Sequence, residues 1–450
     1  MKSKINIPEN PKIALSVLYK NGFEGYLVGG CVRDSVLGRV PFDYDITTNA
    51  LPHEIKRCFD GFNVIETGII HGTVTVVING ENIEITTYRS DGEYLDGRHP
   101  SQVTFTRSLK EDLARRDFTM NALAYSEESG IVDFFGGLED IENKIIRTVG
   151  NPYERFCEDK LRIMRALRFC SELSFTIEEK TRSEIFRLKD GLDEISVERI
   201  SAELDKLIMG ENVFDVLTDY AEVLSVFIPE IKPCIDFEQH NPYHIYTVWE
   251  HIAKSVSVAV PKKVIRLSML FHDIGKPRCF SVDEKGIGHF YGHEEISAEM
   301  SVEILKRLKK DNDTIRTVRA LVEKHYTKPS KENNGEFSKK QTKKLLQSLG
   351  EDNFFLLTDV LRADAMAKAE FALDRLPVID RMEALARKII EENECFSLKS
   401  LAVDGNDVMT LGFSGKDTGK ALQFLLDAVI GGDVPNEKER LIEYLTKSGL

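Results

Sequence analysis

The spacing of hydrophobic residues changes character near residue 138. Upstream, short apolar runs with period two alternate with helix-periodic stretches. "MKSKINIPENPKIALSVLYKNGF" carries one short, helix-periodic apolar stretch with no small-residue cleavage site after it, so it reads as a first helix rather than a signal peptide. "GYLVGG" reads as a strand ending in glycines, and "CVRDSVLG" as a helix closed by Gly38. "PFDYDITTN" is strand-like, and "LPHEIKRCF" opens a helix with Pro52 in its first turn. "HGTVTVVING" and "ENIEITTYR" are β-rich and meet at "NGEN", a hairpin signal.

Downstream, strand signals nearly vanish. "CEDKLRIMRALRFCSEL" reads as one helix, and "SVERISAELDKLIMG" as another with Ser196 at its N-cap and Gly210 as its stop. "FIPEIKPCIDFEQHNPYH" has three prolines and reads as a junction. Helices resume near residue 246 and run to the end, interrupted at "SVDEKGIGHFYGHEE" and "TKPSKENNGEFSKKQ". The expected organisation is α+β: a mixed head over 1–137, a helical neck and body over 138–232, an all-α domain over 240–370 and a helical tail over 371–450. A chain of 450 residues suits several such cores.

Composition adds limits. Hydrophobic residues make up 42% and charged residues 30%, and no apolar run approaches the roughly 20 residues of a membrane span. The seven cysteines are odd in number and form no CxxC, which suits reduced thiols in a cytoplasmic protein. A net charge of −14, taken alone, argues against nucleic-acid binding, since phosphate attraction needs lysine and arginine. Residues 305–344 run the other way, with thirteen basic side chains against five acidic ones. A charge run of this kind is usually a solvated face; a patch for an anionic polymer is the other reading.

Chemistry concentrates at two places. In "FDYDITT", Asp43 and Asp45 are spaced so that a strand would aim both carboxylates to one side from Cα atoms about 6.6 Å apart. Paired carboxylates suit Mg²⁺ and substrate phosphates. Gly29 and Gly30 would let a triphosphate approach the backbone, and Arg33 would add bidentate contacts. A bare DxD is common in loops; the upstream "GGCVRD" sets this one apart. "LVGGCVRDSVLGRVPFDYDITT" resembles the first motif of tRNA nucleotidyltransferases, the CCA-adding enzymes of the polymerase-β-like superfamily. "RRDFTMNALAY", "DFFGGLEDI", "RFCEDKLRIMRALRF" and "SVERISAEL" resemble the following motifs, in order.

The resemblance implies a polymerase-β-like head with Asp43 and Asp45 as Mg²⁺ ligands. It implies triphosphate contacts from Gly30, Arg33 and Arg116, with Asp117 and Asn121 supporting the ribose or the local fold. Glu84 stands where the superfamily keeps a third carboxylate, although a strand glutamate is more often plain surface. Asp159 and Arg162, at i and i+3 on the expected helix, are either an ion pair or the family's amino-acid template for the incoming base, with Arg165 and Arg168 continuing the series. C and A carry an exocyclic amino donor on the pairing edge where U and G carry a carbonyl at the corresponding position, so a carboxylate acceptor favours C and A. "YRSDGEYLDGRHPSQVTF" resembles the family's flexible loop at full length, which favours complete CCA addition.

The second place holds seven of the ten histidines, between 240 and 325. "YTVWEHI" followed by "LFHDIGKP" resembles the HD superfamily of metal-dependent phosphohydrolases, with His251, His272, Asp273 and Asp364 in its ligand pattern. His293 and His325 stand where two-metal members place further ligands, and the set suits a divalent transition metal. His240, His244 and His289 have no assigned role. The expected function is template-independent addition of C, C and A to the tRNA 3′ end from CTP and ATP, with tRNA as partner, no membrane and no obligate protein partner. Poly(A) polymerase, an A-adding enzyme, or a phosphohydrolase acting mainly through the HD domain are the alternatives, and a non-catalytic RNA-binding protein is a further one.

Overall fold

The computed structural model describes residues 5–66, 68–91, 103–330 and 333–449, so most of the expected flexible loop over 88–105 lies outside the described residues. The chain forms two compact units. One runs up to Asn212 and takes in Glu222–Phe227; the other comprises Val213–Ala221 and the chain from Ile228.

The first unit opens with α1 (Glu9–Lys20), β1 (Gly25–Val28), α2 (Gly30–Val36), β2 (Ile46–Thr48) and α3 (Pro52–Cys58). Then come β3 (Asn63–Ile65), β4 (Thr73–Ile78), β5 (Glu81–Thr87), β6 (Arg89–Asp91) and β7 (Val103–Phe105). The "NG" turn forms as its sequence demands. Asn79 and Gly80 both take positive φ, 50° and 84°, and close β4 onto β5 with Ile78 opposite Glu81. After α4 (Leu109–Ala114) come β8 (Leu123–Ser126) and β9 (Gly130–Asp133), which complete a seven-stranded sheet of order β3-β4-β5-β2-β1-β8-β9.

This topology positions the first site. β1 runs antiparallel to both β2 and β8, and β2 runs parallel to β5. The end of β1, the beginnings of β2 and β8 and the middle of β5 around Ile85 therefore meet at one edge. The Val28 N–H donates to the Asp45 carbonyl (3.0 Å), and the Gly29 N–H to the Leu123 carbonyl (3.2 Å).

The unit continues with α5 (Gly137–Glu142), β10 (Ile145–Ile146), α6 (Pro152–Glu158), α7 (Leu161–Leu173), β11 (Thr176–Ile177), α8 (Glu179–Leu188) and α9 (Val197–Leu207). Three expectations are corrected here. The single helix expected through residues 157–173 is two, broken at Asp159, whose backbone is extended (φ −144°, ψ 102°). Asp159 and Arg162 are therefore not i and i+3 on one helix. Asp43 and Asp45 precede β2 instead of lying within it. Ser196 occupies the N-cap position of α9 without a capping side-chain hydrogen bond.

The second unit contains α10 (Val213–Asp219), and α11 (Ala221–Leu224) lies at the division. It continues with α12 (Val248–Val258), α13 (Lys263–Phe271) and α14 (Lys276–Cys279). The first polar interruption folds as a hairpin, β12 (Phe280–Val282) and β13 (Gly288–Phe290), which the hydrophobic pattern did not signal. Then follow α15 (His293–Arg307), α16 (Asn312–Lys324), α17 (Lys339–Met366), α18 (Arg375–Glu391), α19 (Gly405–Met409), α20 (Lys416–Gly431) and α21 (Lys438–Ser448). The C-terminal helices bury a cluster of their own that includes Val408, Leu425, Leu426, Leu441 and Leu445. No described helix is long and apolar enough to cross a membrane, and all seven cysteines are free.

Candidate active site

At the shared sheet edge, Asp45 is solvent-exposed yet crowded by protein atoms. Burial, then the charges of Asp43 and Glu84, push its carboxyl up to about 6, against the opposing pull of Arg116. Glu84 immediately precedes Ile85, which pairs with Ile46, so the parallel β2–β5 ladder places it beside Asp45. An excess of carboxylate over guanidinium at one spot is the donor set a divalent cation requires. The three carboxylates are not drawn as tightly together as the donors of the second site, which form two groups, each with its donor atoms within 4.8 Å of one another. The neighbouring Cys31 thiol is pushed up to about 11 by burial and by Asp45, which leaves it unreactive at neutral pH.

Arg116 reaches this spot because α4 ends just before it. Its Nη2 lies 3.6 Å from the fully buried Asp112, which also takes two bonds from Arg115 (3.0 and 2.9 Å) and one from the Thr47 hydroxyl (3.1 Å). Gly29 has φ 78°, and a Cβ there would stand 2.9 Å from Arg116 Nη1. The backbone conformation favours glycine here, and a side chain would also displace the end of Arg116. Gly30 begins α2 next to Arg33.

A relay of buried polar groups links head and neck. Arg33 Nη1 donates to Asn121 Oδ1 (2.7 Å), Asn121 Nδ2 to Asp117 Oδ1 (3.0 Å), and Arg165 Nε to Asp117 Oδ2 (2.8 Å). Burial alone would raise Asp117; the Arg165 guanidinium and the Asn121 bond outweigh it and hold the carboxyl down at about 2. Arg168 lies against Glu203 of α9 (3.2 Å).

The side chains of Asp159 and Arg162 do not pair with each other, although the Arg162 N–H donates to the Asp159 carbonyl (3.0 Å). Asp159 accepts from Arg199 Nη2 (2.9 Å) and from the Leu161 N–H (3.1 Å). Arg162 donates to Glu158 (2.6 Å) and to the carbonyls of Arg155 (3.1 Å) and Arg115 (3.0 Å). These bonds engage about three of its five N–H donors. The supports Asp112, Arg199 and Glu203 went unassigned in the sequence. Only Asp112 had a local signal, its i,i+4 spacing to Arg116.

The second unit gathers six residues from distant stretches. His251, His272, Asp273 and Asp364 form one group, and Asp273, His293 and His325 another. Asp273 Oδ2 faces His251 (3.2 Å) and His272 (3.1 Å), whereas Oδ1 faces His293 (3.2 Å) and His325 (3.4 Å). All four Nδ1 atoms lie against backbone carbonyls, those of Ala367 (3.1 Å), Met269 (2.7 Å), Phe290 (2.6 Å) and Val322 (2.6 Å). A carbonyl accepts only, so each Nδ1 bears the proton and each Nε2 turns a lone pair inward. Nε2 atoms of His251 and His272 stand 3.2 Å apart, as do those of His293 and His325. Such paired lone pairs, with a buried Asp273 Oδ1 lacking a hydrogen-bond donor, fit cations. Lys276 and Lys368 lie on the carboxylates of Asp273 (2.7 Å) and Asp364 (2.5 Å). Of the unassigned histidines, His244 lines this cavity and is held low by burial and Lys276, while His289 bonds to Asp283 (3.0 Å).

An antiparallel-rich sheet with carboxylates and arginines at one edge, followed by helices, defines a nucleotidyltransferase of the polymerase-β-like class. Residues 25–147 match the Poly A polymerase head domain, 174–235 the "Probable RNA and SrmB-binding site of polymerase A", and 284–445 the tRNA nucleotidyltransferase domain 2. The chain is 33% identical to the CCA-adding enzyme of Oceanobacillus iheyensis, over 96% of this chain and 95% of that one. It is 34% identical to the CCA-adding enzyme of Limosilactobacillus reuteri, over 98% of each. The crystal structure of the Bacillus stearothermophilus CCA-adding enzyme in complex with CTP is 30% identical and superposes with a TM-score of 0.72 over 98% of both chains. The Thermotoga maritima enzyme complexed with tRNA, at 19% identity and a TM-score of 0.58, shares the fold. The chain belongs to the family of CCA-adding enzymes.

Proposed function

We propose that this protein adds C, C and A in turn to the 3′ end of tRNA, consuming CTP and ATP and releasing pyrophosphate. The observation that carries this reading is the convergence of Asp43, Asp45 and Arg116 beside the Gly29–Gly30 turn. Asp43 and Asp45 would hold Mg²⁺, with Glu84 close by. When bound, the ion supplies charge neutralisation at the attacked α-phosphate and a lowered pKa for the attacking 3′-hydroxyl. Arg33 and Arg116 hold the triphosphate, and Gly29 and Gly30 let it approach the backbone. Asp117 and Asn121 keep Arg33 and Arg165 in register through the relay. Asp159 accepts the exocyclic amino group shared by C and A, while the two donors of Arg162 outside its protein bonds face ring acceptors. Arg165 and Arg168 continue that surface. In this reading residues 1–137 catalyse, 138–232 select bases and hold tRNA, 240–370 carry the second metal site, and 371–450 form a tail.

The test uses tRNAs lacking three, two or one of the terminal nucleotides, each incubated with every NTP and sequenced. Ordered addition of C, C and A is expected. Runs of A would replace this reading with poly(A) polymerase, and addition of A alone with an A-adding enzyme.

A second activity, metal-dependent phosphoester hydrolysis of the HD type, is favoured by the inward-facing imidazoles and the shared Asp273 of the second unit. These donors suit Mn²⁺, Ni²⁺, Fe²⁺ or Zn²⁺. Free thiols and a tRNA substrate fit the cytoplasm.

A further inference from the structure

Phe169 lies at the centre of three guanidinium groups. The ring is 4% exposed, and the Cζ atoms of Arg168, Arg33 and Arg165 stand 4.1, 4.9 and 5.4 Å from its centroid. Phe118 meets it edge-on at 5.8 Å. Three cations around one point repel one another, so something must hold them there. Asp34 supplies charge at Arg33, Asp117 at Arg165, and Glu203 and Glu172 at Arg168. The ring supplies negative π density at the point the three guanidinium groups share. Arg33 comes from α2 in the head, and Arg165 and Arg168 from α7 in the neck. Their common neighbour is a residue that hydrophobic patterning assigns to core.

We propose that Phe169 is a positioning residue for nucleotide binding, its ring fixing Arg33 relative to Arg165 and Arg168 so that triphosphate and base are engaged in one register. This rests on the reading of the first site as a nucleoside triphosphate site. Packing alone would be served by any apolar side chain of similar volume; holding guanidinium groups requires an aromatic one.

Phe169→Met preserves volume and removes the ring, and Phe169→Tyr restores it. Phe59→Leu, a fully buried head residue outside this cluster, is the packing control. CTP and ATP affinities are measured by calorimetry, and KM and kcat by tRNA extension. Phe169→Met is expected to weaken both nucleotides about tenfold, the effect of losing a desolvated cation–π contact, with kcat moved far less. Phe169→Tyr should recover most of the affinity, and Phe59→Leu should lower the melting temperature without changing it. Unchanged CTP binding in Phe169→Met, or an equal loss in Phe59→Leu, would overturn the proposal while leaving the site reading intact. A wild-type protein that binds no CTP would overturn both.

Discussion

Arg199 grips Asp159: its Nη2 donates to Asp159 Oδ2 at 2.9 Å, from a helix forty residues further along the chain. With Oδ1 taken by the Leu161 N–H, both oxygens have a fixed direction. Each still has a lone pair to offer, so the carboxylate is oriented without being consumed. The last of the sequence motifs thus has a physical task, which is to aim the group proposed to accept the amino hydrogens of C and A. Asp159→Ala should relax selection against UTP and GTP. Arg199→Gln should do so more weakly, roughly tenfold, as expected for loss of one charge-assisted bond. Competition assays with mixed NTPs measure this, and unchanged selectivity in both variants would remove Asp159 from base reading.

Asp43→Ala and Asp45→Ala should each abolish incorporation, a loss of at least about a thousandfold for removing a metal ligand at the reacting phosphate. Phosphoester hydrolysis by the second unit, where assayed, should be untouched, because its donors are separate residues. Glu84→Gln discriminates further. A ligand role predicts a loss comparable with that of the aspartates, whereas a purely electrostatic role predicts a few-fold change. Single-turnover extension of tRNA lacking its terminal A provides the measurement.

Much of the head could be read from local chemistry. Asn79-Gly80 dictated the β4–β5 turn, and Pro52 marked the first turn of α3. The break at Asp159 was hidden because "CEDKLRIMRALRF" keeps helical periodicity and contains neither glycine nor proline. What breaks it is a side chain competing for backbone, the Asp159 carboxylate bonding the Leu161 N–H and starting a new helix. The supports were invisible for another reason. Arg199 and Glu203 act across about forty residues of sequence, and no periodicity encodes such a pairing. Phe169 was concealed by its own hydrophobicity. At the second site residue types were legible, whereas the division of Asp273 between two pairs of imidazoles required the helix crossings.

The relay through Asp117 makes the first unit acid-sensitive in a defined window. Its folded value of about 2 lies below the unfolded value of about 3.9, so the fold favours the charged form. The resulting stability is fully present above about pH 4 and is lost as pH falls through 2. Asp117→Asn should cost on the order of 2 kcal/mol at pH 7. The difference from wild type should shrink steadily between about pH 4 and pH 2 as the native carboxylate takes up its proton. Thermal melting of both proteins across this range checks the claim. A difference independent of pH would assign the loss to packing.

The second unit should hold two ions, not one. Asp273 presents Oδ2 to His251 and His272, and Oδ1 to His293 and His325, so its carboxylate is placed to bridge. Asp364 Oδ1 adds to the first group only, 3.3 Å from His251. That group therefore offers four donors and the second three, and the first should bind more tightly. After chelation and reloading with Mn²⁺ or Ni²⁺, elemental analysis should find two ions per chain in the wild type. His293→Ala with His325→Ala should leave one, and Asp273→Asn should weaken both. Addition of C, C and A should persist in all of these, since none of the residues contributes to the first site. A single ion in the wild type, unaffected by loss of His293 and His325, would reduce the second group to hydrogen-bonded core histidines.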